Sequence, residues 1–124
     1  LTPADRKLER YEQIGQMTAG LKALARDLGV PILVLAQLSR AAEVADEPRL
    51  SHLRESGSIE QDADVVLLLH RPPEGMEADG DTWAAELIIG KNRNGPTGRL
   101  RLDWDSELMR FNLHQRAAYP EFVD

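Results

Sequence analysis

The chain has 124 residues, a formal net charge of −6 and no cysteine. Its length allows one domain at most, and the lack of cysteine excludes disulfides and thiolate metal sites. No apolar run approaches the roughly 20 residues of a membrane helix, and no signal-peptide pattern opens the chain, so we expect a cytoplasmic protein without a membrane partner. The acidic balance argues against bulk attraction to nucleic acid, and any anion site should be local, near residues 91–101.

The first predicted element is a helix of about 25 residues. Thr2 suits the N-cap, Pro3 the first helical position and Asp5 the positive end of the helix dipole. Gly29 and Pro31 should end the helix. Between these signals, apolar residues recur at steps of three and four and form one stripe: Leu8, Tyr11, Ile14, Met17, Leu21, Leu24 and Leu28.

Two continuous apolar runs, 31–36 and 65–69, predict strands that are buried on both faces of a parallel sheet. A polar loop is expected at 39–50, a short helix within 50–61 and a surface loop at 72–81. Further on, alternating segments separated by short turns predict antiparallel hairpins: 83–89, 99–104 and 109–113. The expected fold class is therefore α/β, with a long helix and buried parallel strands finished by antiparallel hairpins.

Two charged segments adjoin the ends of buried strands, an arrangement that a merely solvated loop does not need. Residues 53–64 (Leu-Arg-Glu-Ser-Gly-Ser-Ile-Glu-Gln-Asp-Ala-Asp) lead into the strand at 65–69, and residues 90–98 (Gly-Lys-Asn-Arg-Asn-Gly-Pro-Thr-Gly) follow the strand at 84–89. Together they resemble the C-terminal half of the motor of DnaB-type replicative DNA helicases, which are RecA-like ATPases. The resemblance runs from about residue 9 to 114. It implies that 1–114 is a partial RecA-like domain and that 115–124 is a tail.

A nucleotide-binding P-loop of the form Gly-x-x-x-x-Gly-Lys-Ser/Thr does not occur in the sequence. No strand precedes the first helix to supply the acidic residue that holds magnesium in this family. The resemblance therefore implies ATP and Mg²⁺ as ligands of a complete protein, with neither held by this fragment alone. We expect the isolated chain to lack ATPase activity. Its start at Leu1 rather than methionine predicts a trimmed or excised fragment.

Gln37 directly follows the apolar run 31–36, and ligands of open α/β sheets collect at the C-terminal ends of strands. A neutral amide there can orient a water and hydrogen-bond a γ-phosphate, although a solvated strand-end glutamine is the favoured alternative on the residues alone. Residues 35–40 (Leu-Ala-Gln-Leu-Ser-Arg) resemble the family's Leu-Ser-Gln-Leu-Ser-Arg with one departure, at Ala36. The resemblance implies that Gln37 is a catalytic, phosphate-sensing residue.

Arg54, Glu55 and Gly57 are the candidate DNA-binding residues. Arginine pairs with phosphate bidentately, and glycine lets backbone N–H groups approach a nucleic-acid strand closely. A capped helix with solvated charges is an equally good explanation from the charge pattern alone. The resemblance implies a loop that contacts single-stranded DNA in the central channel of a hexameric ring.

Lys91 and Arg93 fall on the same side of an extended segment, so both can point at one anion. Within one subunit a generic basic patch is the alternative. The resemblance implies that this pair reaches the γ-phosphate held by a neighbouring subunit, as catalytic and nucleotide-binding residues beside Gln37.

The remaining polar residues give no second site. His52, His70 and His114 lack ligand-like spacing, so no metal site is expected. Glu60, Gln61 and Asp62 are interpreted as structural residues that pack and cap beneath the next strand. As a carboxylate pair, Asp62 and Asp64 are interpreted as solvated charges at the start of that strand rather than as an acid–base site.

The resemblance implies a fragment of a hexameric, ATP-dependent replicative DNA helicase that moves along single-stranded DNA and unwinds duplex at the replication fork. It also implies a helicase loader and a primase as partners, and a bacterial or phage-type protein at the nucleoid. One alternative is a stand-alone, non-catalytic module that binds or regulates helicase subunits. Another is a fragment of a RadA-like recombination ATPase, which shares the Lys-Asn-Arg of 91–93 but not segment 53–64.

Overall fold

A long helix, two short helical segments and an antiparallel sheet make up the described part of the chain. The computed structural model describes residues 2–40, 42, 45–71, 82–114 and 121–122, without the side chains of 54–57, 82 and 121–122. The predicted surface loop at 72–81 and most of the tail lie outside these ranges. The elements are α1 (Pro3–Leu28), a 3-10 helix (Leu50–Ser56), α2 (Gly57–Asp62), β1 (Val65–His70), β2 (Thr82–Asn92), β3 (Gly98–Asp105), β4 (Arg110–Leu113) and β5 (Glu121–Phe122).

Helix α1 begins and ends at the predicted residues. The backbone N–H of Asp5 donates to the hydroxyl of Thr2 at 3.2 Å, and the Asp5 carboxylate accepts from the Thr2 N–H at 3.1 Å. This reciprocal capping box satisfies two N–H groups that the first turn otherwise leaves unpaired. At the other end, Gly29 adopts φ 63°, a left-handed conformation that costs glycine little. The predicted helix is confirmed.

The sheet has the order β1-β2-β3-β4, and β5 pairs with β3 beside Gly98 and Arg99. Every pair is antiparallel. The hairpins predicted from residue 83 onward are therefore confirmed. Strand β5 lies in the tail, where the sequence offered no clear period because two paired residues are too few to produce one.

The prediction of a buried strand at 31–36 is wrong. This segment joins no sheet, and Leu33 and Leu35 are 83% and 89% exposed. Consequently the predicted parallel pairing is not found among the described residues, although the α/β class holds. A strand needs a hydrogen-bonded neighbour as well as apolar side chains, and residues 31–36 pair with no strand in the described chain. Strand β1 pairs along one edge with β2 and leaves its other edge open within the described chain.

The small core lies on one face of β1. Val66 and Leu68 are 8% and 4% exposed and pack with Leu53 of the 3-10 helix at 7%. The alternate residues of β1 are about half exposed. The prediction that this strand is buried on both faces is therefore wrong, because the helical segments cover only one face. Helix α1 packs onto α2 where Gly15 meets Ser58, which a β-carbon at residue 15 would approach to 3.7 Å.

None of the described helices is both long enough and apolar enough to span a membrane.

Candidate active site

A β-bulge sets the direction of the segment that carries Lys91 and Arg93. Lys91 pairs with Val66, but the next partner, Leu67, pairs with Ile89, so Gly90 is an extra residue in β2. Bulges of this kind redirect the side chains that follow them. A β-carbon at Gly90 would lie 3.1 Å from a Leu50 methyl group, so the backbone approaches the core too closely for a larger residue.

The ammonium group of Lys91 contacts the C-terminal end of α2. Its Nζ donates to the carbonyl oxygens of Glu60 at 2.7 Å and Gln61 at 3.2 Å. The last carbonyls of a helix lack intrahelical partners and carry a partial negative charge. Lys91 therefore satisfies two of them and caps α2.

The guanidinium of Arg93 lies beside the same helix end. Nη1 donates to Asp64 Oδ1 at 2.5 Å and Nη2 to the Gln61 carbonyl at 3.4 Å, while the Arg93 backbone N–H donates to the Asp64 carbonyl at 2.9 Å. Because Lys91 and Arg93 share the Gln61 carbonyl as an acceptor, both side chains lie on the same side of the segment, as expected.

A third cation, Lys22 of α1, completes this group. Its Nζ donates to the Asp62 carbonyl at 2.9 Å and lies 3.4 Å from Asp64 Oδ1. The Asp62 carboxylate instead accepts from the Thr18 hydroxyl at 2.6 Å. The interpretation of Asp62 and Asp64 as merely solvated charges is therefore wrong. Both partners come from α1, far away in the sequence, and nothing in the local sequence indicates them. We call Lys22, Lys91 and Arg93 the cation cluster.

The carboxyl group of Asp64 responds to the charges of the cation cluster. Its pKa is held below the usual value of 3.8, first by the hydrogen bond and charge of Lys22 and then by the charges of Arg93 and Lys91. Asp64 is nevertheless 63% exposed and Arg93 43% exposed. The cluster thus lies at the surface, where a group from outside the chain can reach it.

Gln37 lies elsewhere, in an exposed extended segment. It lines an open cavity of about 380 Å³ together with His70 and Arg71, at the end of β1. The segment is tied to the 3-10 helix by the Ser39 N–H, which donates to the His52 carbonyl at 3.1 Å. The expectation that Gln37 follows a strand at 31–36 is wrong, because that run forms no strand; Gln37 instead lies near the end of β1.

Arg71 also lines this cavity and was missed by the sequence reasoning. Its guanidinium carbon lies 4.4 Å from the centroid of the Trp83 ring, a cation–π contact that holds an otherwise exposed side chain. The available signal was a cation directly after an apolar strand, the same signal that indicated Gln37.

The two halves of the candidate site lie at opposite ends of β1. Lys91 is paired with Val66 near the start of the strand, whereas Gln37 lies beside His70 at its end. The residue steps from Val66 to His70 span about 14 Å of antiparallel strand. Within one chain, therefore, Gln37 and the cation cluster do not converge on a single phosphate.

Along the chain, Arg54, Glu55 and Gly57 lie between the core residue Leu53 and the end of α2, which contacts the cation cluster. The first two belong to the 3-10 helix, and Gly57 is the first residue of α2. The side chains of Arg54 and Glu55 are outside the described part of the structure, so the DNA contacts of all three residues remain a prediction. They precede the helix whose last carbonyls hold Lys91.

Another cation of segment 91–101, Arg99, has partners of its own. Arg99 binds the Glu47 carboxylate bidentately at 2.7 and 2.8 Å and approaches Glu86 at 3.4 Å. The hydrogen bonds that Arg99 donates to Glu47 lower the pKa of Glu47 and raise the pKa of Arg99. Arg99 is thus compensated by two carboxylates, whereas Arg93 pairs with one, Asp64, which it shares with Lys22, and Lys91 contacts carbonyl oxygens.

No three His, Asp or Glu side chains cluster as a metal site within the described ranges. These residues therefore do not by themselves fit a Mg²⁺ ion, and no chemical step is assigned to one.

Comparison with known proteins gives consistent matches. Residues 1–113 match the model of the DnaB-like helicase C terminal domain. The replicative DNA helicase DnaB of Rickettsia typhi is 41% identical over 127 residues, which cover 86% of this chain and 26% of that protein. The chain thus spans about a quarter of the length of this curated relative.

Two solved structures share the fold. The first is an ATPase domain, which superposes with a TM-score of 0.74 at 39% identity, covering 84% of this chain and 37% of that one. The second is a DnaB-like replicative helicase, solved in a study of its interactions with primase, which gives a TM-score of 0.73 at 40% identity over 82% of this chain and 25% of that one. The RecA-like part of the fold prediction is confirmed by these neighbours. Most of each neighbour has no counterpart in this chain.

Proposed function

Because the chain belongs to the DnaB-like helicase C-terminal domain family, we propose that it is the distal part of the motor of a replicative DNA helicase. In the complete protein this motor hydrolyses ATP, moves along single-stranded DNA and unwinds duplex at the replication fork. The observation that most supports a shared catalytic site is the placement of Gln37 and the cation cluster at opposite ends of β1.

Catalysis then takes place between two copies of the subunit. Gln37 of one subunit orients the attacking water beside the γ-phosphate. Lys91 and Arg93 of the next subunit approach the same phosphate and neutralise the charge that develops there, an effect worth roughly 10³–10⁵ in rate for arginine fingers of other NTPases. A site built this way needs a head-to-tail contact between neighbouring subunits, which a ring provides, and the hexamer itself is assigned from the resemblance.

The test is complementation between two strongly impaired variants of the complete helicase, Gln37→Ala and Arg93→Ala. In mixed rings, some boundaries combine the intact Gln37 side of one subunit with the intact Arg93 side of its neighbour. Random mixing in equal amounts restores about one boundary in four, because each site needs one intact face from each of two copies. We therefore expect ATPase activity to reappear on mixing, although each variant alone keeps only a small residual rate.

Arg99→Ala is the matched control, since it removes a partly exposed arginine that is already bound to Glu47. It should retain the ATPase rate within about twofold. If mixtures of the Gln37 and Arg93 variants stayed at the residual rate while still forming rings, the two residues would act within one subunit and the proposal would be wrong.

The DNA-binding part of the proposal concerns Arg54, Glu55 and Gly57. They contact the backbone of single-stranded DNA, Arg54 through its charge and Gly57 through close backbone approach. Arg54→Ala should weaken binding to all sequences alike and lower the slope of log affinity against log salt by about 1. The control is Arg10→Ala on the exposed surface of α1. Unchanged affinity and slope for Arg54→Ala would remove this loop from the DNA site.

The remaining assignments come from the family. The complete protein uses ATP with Mg²⁺, whose protein ligands lie outside the described residues. A primase and a helicase loader are proposed as partners, the former because the DnaB-like neighbour was solved in a study of such interactions. The expected place of action is the bacterial or phage-type replication fork in the cytoplasm.

A further inference from the structure

The carboxylate of Asp64 holds the segment that carries Lys91 and Arg93, and the family resemblance implies no role for it. We propose that Asp64 is a positioning residue: it fixes Arg93, beside the Lys91 that the carbonyl end of α2 holds, in the orientation in which a neighbouring subunit's phosphate meets the pair. This inference rests on the proposed function of those two residues and adds the group that orients Arg93.

Residue 64 holds residue 93 at two points. The Asp64 carbonyl accepts from the Arg93 backbone N–H at 2.9 Å, and the Asp64 carboxylate accepts from the guanidinium at 2.5 Å. A free arginine side chain samples many rotamers, and ordering it costs conformational entropy. Contacts at both ends restrict that freedom before the phosphate arrives, and well-oriented groups react faster because this ordering is already complete.

The contacts orient the two cations without using all of their donors. A guanidinium has five N–H donors, and the hydrogen bonds described above occupy two of the five in Arg93. An ammonium has three donors, and Lys91 directs two of them at the carbonyls of α2. With Arg93 still 43% exposed, the arrangement presents the pair to an external anion rather than hiding it.

Lys22 makes the role of Asp64 more specific. The same oxygen, Oδ1, accepts from both Lys22 and Arg93, so the carboxylate lies between two cations that otherwise repel each other. If the carboxylate is replaced by a neutral amide, Lys22 and Arg93 face each other without compensation. Arg93 is the more exposed of the two and is expected to move away, since Lys22 retains its bond to the Asp62 carbonyl.

The first experiment measures steady-state ATP hydrolysis by the complete helicase with single-stranded DNA, for Asp64→Asn and Asp64→Glu. We expect Asp64→Asn to lower kcat about tenfold and leave KM for ATP within about twofold, because a misplaced group that acts in the transition state reduces kcat. Asp64→Glu should recover most of the loss, since it restores the carboxylate. Asp64 is 63% exposed, so neither change should unfold the domain.

Glu47→Gln is the matched control, because it removes the carboxylate of the other arginine ion pair, that of Arg99. Its kcat should stay at the wild-type value. A loss as large as that of Asp64→Asn would mean that any ion pair of this domain has the same effect, and would overturn the positioning role.

The second experiment adds Asp64→Asn to Arg93→Ala. If Asp64 acts through Arg93, the double variant should be no slower than Arg93→Ala alone. A further severalfold loss would mean that Asp64 acts independently, and the inference would be wrong. If Arg93→Ala itself kept the full ATPase rate, the proposed function of Arg93 would fail, an outcome distinct from a failure confined to Asp64.

Discussion

Asp64 is the residue whose environment makes the clearest titration prediction. Its pKa is lowered mainly by Lys22, so its folded-state pKa lies below the usual 3.8. The contribution of the carboxylate to the cation cluster is therefore fully present above pH 3.8 and is lost as the pH falls through the lowered pKa. A carbon-detected NMR titration should give a midpoint below 3.8, and Lys22→Met should raise it. A midpoint at or above 3.8 in the unaltered protein would contradict this account.

Gly90 is a residue at which added volume should be harmful. In Gly90→Ala the new methyl group would lie 3.1 Å from Leu50 and 3.4 Å from Leu68, both part of the core packing. Overpacking of this kind costs about 1–3 kcal/mol, so amide exchange in β1 and β2 should speed up. The cost should shrink in a Leu50→Ala background, because the closest contact is gone. Equal costs in both backgrounds would show that the contact with Leu50 is irrelevant.

Among the elements, α1 offers room for stabilisation. Gly20 lies within the helix, and a β-carbon there would meet nothing within 4 Å. Gly20→Ala should stabilise the helix by about 0.5–1 kcal/mol and slow amide exchange in α1 about two- to fivefold. Gly29→Ala is the opposing control, because φ at that residue is 63° and alanine is strained there. If both changes slowed exchange, the left-handed cap would not matter to the stability of α1.

At the scale of the whole molecule, the notable feature is exposed apolar surface. Segment 31–35 and the apolar stripe of α1 remain open, with Leu33, Leu35 and Leu28 at 83%, 89% and 63% exposure. Such surface favours association. The isolated chain should self-associate in sedimentation experiments, and Leu33→Asp with Leu35→Asp should weaken this. Leu108→Asp, at a 56% exposed turn leucine, is the control. A clean monomer at high concentration would contradict the prediction.

The mass of the native protein distinguishes the proposed motor from the alternative of a stand-alone regulatory module. An antibody against this chain should detect a species several-fold heavier than 13.9 kDa in the source cell, since the Rickettsia typhi relative is covered over only 26% of its length. A species at 13.9 kDa would favour a module that acts on other helicase subunits. The isolated chain should show no ATPase activity in either case, because no P-loop occurs in it.

Local signals predicted local structure well. The cap residues Thr2, Asp5 and Gly29 define α1 because their hydrogen bonds involve neighbours within one turn. The hairpins could be predicted from alternating apolar residues and turn residues for the same reason. Burial is different, because it depends on partners that a segment cannot specify: the apolar run 31–36 has the composition of a core strand but pairs with no strand within the described chain.

The same distinction between local and long-range contacts applies to the candidate site. Gln37, Lys91 and Arg93 could be named from short motifs, and their catalytic roles remain predictions. The contacts of Asp64 could not be predicted, since Lys22 precedes it by 42 residues and meets it only in the folded chain. The distance between Gln37 and Lys91 could not be predicted either, because it depends on which end of β1 each residue lies beside in the folded chain.

The extra residue in β2 has a consequence for how the site is encoded. If Gly90 took its regular place opposite Val66, Lys91 and the residues after it would slip by one position. Because a strand alternates faces with a period of two, that slip would turn the side chain of Lys91 away from the carbonyls of α2. The side on which Lys91 and Arg93 lie therefore depends on whether the number of residues before them in the segment is odd or even, as well as on residue type. A one-residue change in its count would keep both cations in the sequence and remove them from the site.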